Sequence, residues 1–434
     1  MSKAIQVFKF GGASVKDVEA IKNVANILQT YKDKSLVIIV SAMGKTTNAL
    51  EKIVEAYFQK DTAQAMTLLA DIKTAHYQIM ANLFGKKHEV FSMVNDIFVE
   101  IEWVLEDEVQ DSYDYIYDQI VSVGELVSSK IVATYLCDQG LSTAWLDTRD
   151  VILTDDTFRE ARVNWEQTQQ RAQKQVPTLL EKHQFVLTQG FIAGNNENQT
   201  TTLGREGSDF TAAIYSFCLN ATSMSIWKDV PGILTADPRL FDNVTLINRL
   251  SYKEAIEMTY YGAKVIHPKT IKPLQNKNIP LYVKSFIEPA GEGTMIDDET
   301  DVIEYPPVIV VERNQCLLHI STKDFSFVAE WHLSHLFKLF NEHRIKINMM
   351  QNMAISFSVC ATNKPDRIKD LMDALRDDFK VVKDENLELI TVRNYKEEML
   401  KDLIQDKIVL FEERIRKTIQ MVIKEVPVMK WKKN

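Results

Sequence analysis

The chain carries only four cysteines in 434 residues, Cys137, Cys218, Cys316 and Cys360, widely scattered. They have neither the paired spacing of a metal site nor the density of a disulfide framework. Each sits in an apolar run, so reduced core thiols and a reducing cytoplasm are expected. No window approaches the roughly 18 continuous apolar residues of a membrane span, and the first residues lack an apolar leader core, so neither membrane insertion nor secretion is expected. A basic excess is missing too. The formal net charge is −9, whereas nucleic-acid binding needs clustered cations, so nucleic acid is not the expected partner. There is no low-complexity tract, and Lys430, Lys432 and Lys433 read as a solvated tail. What is present, 45% apolar and 26% charged residues, suits soluble globular protein with two or three self-sufficient cores.

An apolar strand, Ala4 to Phe10, runs directly into Lys9-Phe10-Gly11-Gly12-Ala13-Ser14. Two glycines after a strand let backbone N–H groups approach an oxyanion, and the helix that follows aims its positive end there. Ser14 with Asp17 three positions on reads as the N-cap of that helix, whose apolar positions are Val18, Ile21, Val24, Ala25 and Leu28. Further apolar runs at Leu36–Val40, Val186–Ile192 and Ser223–Trp227 alternate with amphipathic helices. Alternation of this kind gives an α/β fold with a central, mostly parallel sheet between helices. Between about residues 48 and 118 the pattern is helical, with little Gly or Pro, and reads as a helical insertion or lid over the sheet edge.

Pro289, Gly291, Gly293, Pro306 and Pro307 mark a linker near residue 304, which divides the chain into regions 1–304 and 305–434. The second region reads as strand 315–322, helix 327–344, strands 346–353 and 355–362, helix 364–378 and strand 387–393, a ferredoxin-like βαββαβ order. A shorter copy begins at Leu387, with helix 396–407 and strands near 408–414 and 418–424, and no closing helix follows.

Several segments carry more chemistry than a connection needs. Gly44-Lys45-Thr46 looks like the end of a nucleotide P-loop, but Ile39 occupies the position of the first glycine, in mid-strand, which disfavours that fold. Ser41 and Thr47 follow a strand end, either as ligand-facing hydroxyls or as helix caps. Thr200 to Asp209 packs three hydroxyls, two glycines, Arg205 and Asp209 between a strand and a helix. Arg205 offers a planar fork for a carboxylate and Asp209 a helix-start carboxylate for holding cations; an exposed ion pair and a plain N-cap are the bland alternatives. Glu125 stands alone in a mixed helical stretch and says nothing by itself. The segments Trp227–Gly232 and Thr235–Arg239 are turn-rich and could embrace a nucleotide; Lys264 could reach a phosphate, and His267 reads as a packed turn residue.

Taken together, Lys9–Val15, Ser41–Asn48, Val123–Leu126, Thr201–Asp209, Trp227–Gly232 and Gly262–Pro268 resemble aspartate kinase of the amino-acid kinase superfamily, in order and spacing, across roughly residues 5 to 295. The resemblance implies the amino-acid kinase fold followed by ACT regulatory units. The implied reaction moves the ATP γ-phosphate to the side-chain carboxylate of L-aspartate, the entry step to lysine, threonine and methionine synthesis, with magnesium bridging the phosphates. It implies Lys9, Gly11 and Gly12 at the transferring phosphoryl group, with Asp209 organising the lysines. Lys228, Asp229, Leu234, Arg239, Lys264 and Val265 would surround ATP, and Ser41, Thr47, Glu125, Phe191, Arg205 and Ser208 would hold aspartate. Glu125 suits the substrate ammonium and Arg205 its α-carboxylate. A cytoplasmic homodimer or higher homo-oligomer, joined through edge strands of the ACT-like units, is expected. Three departures stand out: Ala13 where Thr is usual, Glu206 where Gly is usual, and a loop from Ser321 to Phe327 without the glycine common at effector sites. Reduced or re-tuned activity and weak or absent lysine inhibition are expected from them.

Overall fold

The computed structural model describes residues 4–108, 110–263, 266–298, 304–324 and 326–425. The chain divides into two compact units, one of Met1–Ile233, Leu246–Ile256 and Val265–Thr300, the other of Leu234–Thr245, Glu257–Lys264 and Asp301–Asn434.

The first unit is built on the apolar runs. Strands β1 (Ile5–Phe10), β2 (Ser35–Val40), β3 (Thr143–Leu146), β4 (Phe185–Gln189), β7 (Ser223–Lys228), β8 (Arg249–Ser251), β9 (Leu281–Ser285) and β10 (Thr294–Asp297) form one sheet in the order β3-β4-β2-β1-β7-β9-β10-β8. Two short strands, β5 (Ile192–Gly194) and β6 (Thr200–Thr202), pair beside it. Every pairing in the large sheet is parallel except β9 with β10. All six residues of β2 are buried, as continuous apolar strands covered on both faces must be.

Between β2 and β3 the chain forms helices Thr46–Phe58, Thr62–Phe84, Val90–Glu106, Tyr113–Val121 and Val123–Asp138. Their buried residues Val54, Met80, Phe98, Ile120 and Val132 share one core cluster with Phe8, Val40 and Leu187 of the sheet, so the inserted helices are part of the main core. The described helical run Tyr113–Asp138 has the length and apolarity of a membrane span, and 83% of its apolar 18-residue stretch is buried within the fold.

Local expectations are corrected in three places. Asp17, not Ser14, caps helix Val18–Gln29, accepting from the Ala20 N–H; Gly12–Val15 is a tight 3-10 turn with Ser14 buried. The helix expected from Asp209 starts at Gly207, which puts Asp209 inside its first turn. All four cysteines are free, but Cys137 is exposed near the end of its helix, not a core thiol.

In the second unit, strands β11 (Val308–Thr322), β12 (Ile347–Asn352), β13 (Ser356–Thr362), β14 (Phe379–Arg393), β15 (Lys407–Ile415) and β16 (Thr418–Glu425) form a sheet ordered β12-β13-β11-β14-β16-β15. With helices Glu330–Glu342 and Pro365–Leu375 the first four strands make the βαββαβ unit. β11 and β14 are longer than the sequence pattern suggests. Each crosses one left-handed asparagine, Asn314 (φ 58°) and Asn386 (φ 58°), and the ladder shifts register between Glu312 and Leu317, as a β-bulge does. Beyond the bulge, Val308–Glu312 pairs with Leu389–Arg393, and β14 pairs there with β16. The first half of β11 therefore lies beside the shortened copy of β14, helix Glu397–Leu403, β15 and β16, as its fourth strand. Ile390, Val392, Leu400, Ile419, Met421 and Ile423 form the core of that copy.

Candidate active site

Parallel pairing fixes where the loops emerge. Phe10 is level with Val40 and Trp227, and Val40 with Gln189. The segments that follow, Gly11–Gly12, Ser41–Lys45, Gly190–Phe191 and Lys228–Asp229, therefore leave the same carboxyl edge, where open parallel sheets bind ligands.

The turns interlock at close range. A Cβ on Gly12 would stand 2.7 Å from the Ala42 carbonyl oxygen, and the Gly44 N–H donates to the Gly12 carbonyl at 3.0 Å. Across the site, a Cβ on Gly190 would lie 2.5 Å from that of Ser208. Phe191 is held in the left-handed region at φ 69°, its N–H donating to Thr211 Oγ1 at 3.0 Å and its carbonyl accepting from the Leu203 N–H at 2.8 Å. Strain of this kind in a non-glycine residue persists only where its surroundings over-determine it, which is typical of functional sites.

The charged groups meet inside this frame. Lys9 Nζ lies 2.7 Å from Asp209 Oδ1, with both side chains largely buried. Burial raises the Asp209 carboxyl, but the nearby Lys9 and Lys228 charges and the Lys9 hydrogen bond overcome it and hold the group below the usual range. Glu125, in the first turn of helix Val123–Asp138, is 3% exposed. Its Oε1 accepts from the Ala42 N–H at 3.3 Å, and its Oε2 is buried without a hydrogen-bond partner among the described residues. Burial pushes this carboxyl up to about 8, against the opposing pull of the Ala42 N–H, its own backbone N–H and the Lys9 charge. A buried acid with one oxygen unpaired is set to receive a cation or a donor.

The remaining expected residues are placed as follows. Ser41 follows β2, and its carbonyl accepts from Ser128 Oγ at 2.7 Å; Thr47 is half-buried in the first turn of helix Thr46–Phe58. Ser208 is half-buried in the first turn of helix Gly207–Leu219, and Arg205, just before that helix, is exposed with no described ion pair. Ala13 is exposed in the turn after Gly12. Lys228 and Asp229 follow Trp227, which stacks on Phe10 with ring centroids 5.7 Å apart. Leu234 and Arg239 fall in the segment grouped with the second unit, and Arg239 forms a two-point ion pair with Asp237. Lys264 and Val265 lie outside the described residues. His267 is the N-cap of helix Pro268–Gln275, its Nδ1 accepting from the Lys269 N–H, as expected for a packed turn residue.

One organising residue escaped the sequence reading. Asp118, fully buried, accepts from the Arg159 N–H at 2.9 Å, the Thr202 N–H at 2.8 Å and Thr202 Oγ1 at 2.7 Å. Burial pushes it up to about 6, opposed by those three bonds and the Arg159 charge. It anchors the strand that leads into Arg205–Asp209, and nothing in the sequence distinguishes it from other helix acids.

The sequence matches the amino acid kinase family over residues 4–285. It is 31% identical over 358 residues to lysine-sensitive aspartokinase 3 of Escherichia coli (strain K12), spanning 82% of this chain and 78% of that protein. It is 28% identical to the chloroplastic bifunctional aspartokinase/homoserine dehydrogenase 2 of Arabidopsis thaliana, where the match spans 86% of this chain but 42% of that protein. The crystal structure of E. coli aspartokinase III in complex with lysine and aspartate (T-state) is similar with a TM-score of 0.83 at 27% identity, covering 96% of this chain and 95% of that one. The same enzyme in complex with aspartate and ADP (R-state) gives a TM-score of 0.78 at 27% identity, covering 96% of each chain.

Proposed function

The chain belongs to the amino acid kinase family as one of its aspartokinases, and from that membership we propose that it transfers the γ-phosphate of ATP to the side-chain carboxylate of L-aspartate. The products are 4-phospho-L-aspartate and ADP. The observation that carries the reading is the buried 2.7 Å pair of Lys9 and Asp209, which joins the diglycine turn to the Thr200–Asp209 motif at one sheet edge.

Phosphoryl transfer asks the protein for alignment and charge neutralisation. Lys9, with the N–H groups of Gly11 and Gly12, receives the transferring phosphoryl group, and Lys228 and Asp229 face the nucleotide. Asp209 pairs with Lys9 and fixes its ammonium, and its carboxylate balances the nearby Lys228 charge. Glu125 takes the aspartate ammonium and Arg205 its α-carboxylate, with Ser41, Thr47, Phe191 and Ser208 lining the same substrate. One oxygen of the substrate's side-chain carboxylate attacks the γ-phosphorus while the bond to the ADP oxygen breaks. The carboxylate is already ionised at neutral pH, so no proton is moved and no base is needed. Magnesium supplies charge neutralisation when it arrives with the nucleotide. Among the described residues there is no group of three or more His, Cys, Asp or Glu that could hold it, and a magnesium ion brought by the nucleotide would keep several waters.

Residues 1–304 are assigned to catalysis and 305–434 to ACT-like regulation, a division supported by the ferredoxin-like order of the latter. Association of two or more copies is proposed through the sheet edges β12 and β15, where Met350, Ile408, Leu410 and Ile415 are exposed. A cytoplasmic setting is part of the same reading. The test is a coupled assay of ADP release from ATP and magnesium with L-aspartate, and with L-glutamate as the competing acceptor. Turnover with aspartate alone is expected; equal turnover with glutamate, or none with either, overturns the reading.

A further inference from the structure

Asp118 and Glu125 belong to one helical run. Ser122, between them, has helical angles (φ −59°, ψ −28°). Its N–H donates to the Asp118 carbonyl, and its own carbonyl accepts from the Glu125 and Leu126 N–H groups, so helices Tyr113–Val121 and Val123–Asp138 join through it. Seven positions are close to two helical turns, which puts the two acids on one face, about 10 Å apart along the axis. Whatever Asp118 holds is thereby set at a fixed distance from Glu125.

What it holds is β6. Asp118 takes both the N–H and the hydroxyl of Thr202, at 2.8 and 2.7 Å. Next to it, Gln119 Nε2 donates to the Thr200 carbonyl at 2.9 Å and Gln119 Oε1 accepts from the Thr200 N–H at 3.3 Å. Arg159, whose N–H also goes to Asp118, sets its carbonyl against Gly204, where a Cβ would stand 3.1 Å from it. Arg205 follows directly, and its exposed side chain has no described ion pair. The adjoining Glu206 is engaged elsewhere, its Oε2 accepting from the His267 N–H at 3.1 Å. The place of Arg205 is therefore set through its backbone, between this grip on β6 and the Lys9–Asp209 pair. Stability alone is a poor reason for the Asp118 carboxylate. It is fully buried and forms no ion pair among the described residues, the Arg159 guanidinium turning to Asp114 and to the Tyr117 ring. Burying a charge without an ion pair is costly. What the carboxylate supplies is two acceptor oxygens for three donors on two separate segments.

We propose that Asp118 is a positioning residue for the amino-acid substrate: it fixes the separation of Glu125, on its own helical run, from Arg205, on the loop that continues the strand it grips. The ammonium and the α-carboxylate of one substrate molecule then meet both partners in place, without ordering a loop on binding. The inference rests on the aspartate kinase reading for the substrate and for the roles of Glu125 and Arg205. The nucleotide-side residues Lys228 and Asp229 follow β7 and take no part in the grip, so the effect falls on aspartate and spares ATP.

The experiment determines kcat and the KM values of aspartate and ATP for the full-length protein as wild type, Asp118→Ala, Asp118→Asn and Thr202→Val. Alanine removes all three bonds. Asparagine keeps one oxygen for the two N–H groups and turns its NH2 to the Thr202 hydroxyl, which can rotate to accept. Valine removes the hydroxyl bond alone and keeps a β-branched side chain in the strand. Asp118→Ala is expected to raise the aspartate KM about tenfold or more, with the ATP KM within about twofold and kcat within about threefold of wild type. Asp118→Asn should stay within about threefold of wild type in all three values, and Thr202→Val should raise the aspartate KM about three- to tenfold. Melting temperatures establish which variants are folded; if Asp118→Ala is not, Thr202→Val carries the test. An aspartate KM unchanged in the folded variants, aspartate and ATP KM values rising together, or a loss in Asp118→Asn equal to that in Asp118→Ala overturns the positioning role. Failure of the aspartate kinase reading is recognised separately, because wild type itself would then not turn over aspartate.

Discussion

The Glu125 carboxyl provides a sharp test, because its titration falls inside the working pH range. Burial lifts it to about 8 from an ordinary 4.5, so near pH 7 only about one molecule in eleven carries the negative charge there. A substrate ammonium binds well only to that ionised fraction. The observed affinity is then weakened by a factor of about 11 at pH 7 and about 1.3 at pH 8.5. The aspartate KM should therefore fall about eightfold between those values. Both substrate carboxylates stay ionised and its ammonium stays protonated throughout. Binding at pH 7 should also release nearly one proton, read from calorimetry in buffers of different ionisation enthalpy. The control is Glu125→Gln, whose KM should be high and flat with pH. The stability sign is opposite to that of an ordinary salt-bridged acid. With the folded value above the unfolded one, the favourable contribution is complete below about pH 4.5 and is lost as pH rises through about 8. Without substrate, Glu125→Gln should gain on wild type in unfolding free energy over that window, by on the order of a few kcal/mol at its upper end. A wild-type KM independent of pH, or an equal slope in Glu125→Gln, would refute the assignment.

Replacing Lys9 by alanine removes the cation beside the reacting phosphate and should cost about 10²- to 10³-fold in kcat; a normal kcat would end the phosphate-site assignment. Arg205→Ala should leave the melting temperature nearly unchanged, since the side chain is exposed, while raising the aspartate KM about 10- to 100-fold, the worth of a charged hydrogen bond. An unchanged KM, measured at saturating ATP, would count against it. Gly190→Ala places a methyl 2.5 Å from the Ser208 Cβ; thermal denaturation should report a loss of about 1–3 kcal/mol, with a raised aspartate KM, and a variant equal to wild type in both contradicts the close packing. Lysine at sub-millimolar levels, on the order of ordinary metabolite affinities, should inhibit weakly or not at all in the coupled assay, and clear inhibition there contradicts the reading of the Ser321–Phe327 loop.

The sheet of the first unit was legible because continuous apolar runs have few alternatives, and the diglycine turn because glycines after a strand are conspicuous. Glu125 was visible only through resemblance: an isolated acid in a helix carries no local mark of being buried, and its environment comes from Ala42 and Lys9, distant in sequence. Asp118 was invisible for the same reason, its partners being backbone groups of Arg159 and Thr202. The cap at Asp17 was misread because Ser14 also fits the capping pattern, and the choice between them is made by the tight turn through Gly12. Val308–Glu312 was passed over because Pro306 and Pro307 read as linker, although the strand begins immediately after them.

That strand makes the second unit indivisible. Because β11 and β14 each run through both ferredoxin-like copies as single uninterrupted peptides, neither copy can be excised, swapped or duplicated as a cassette without tearing an edge from its neighbour. A cut after Arg393 would strip β16 from β14 and uncover Ile390 and Val392, leaving a sticky seam where the complete protein has a closed one.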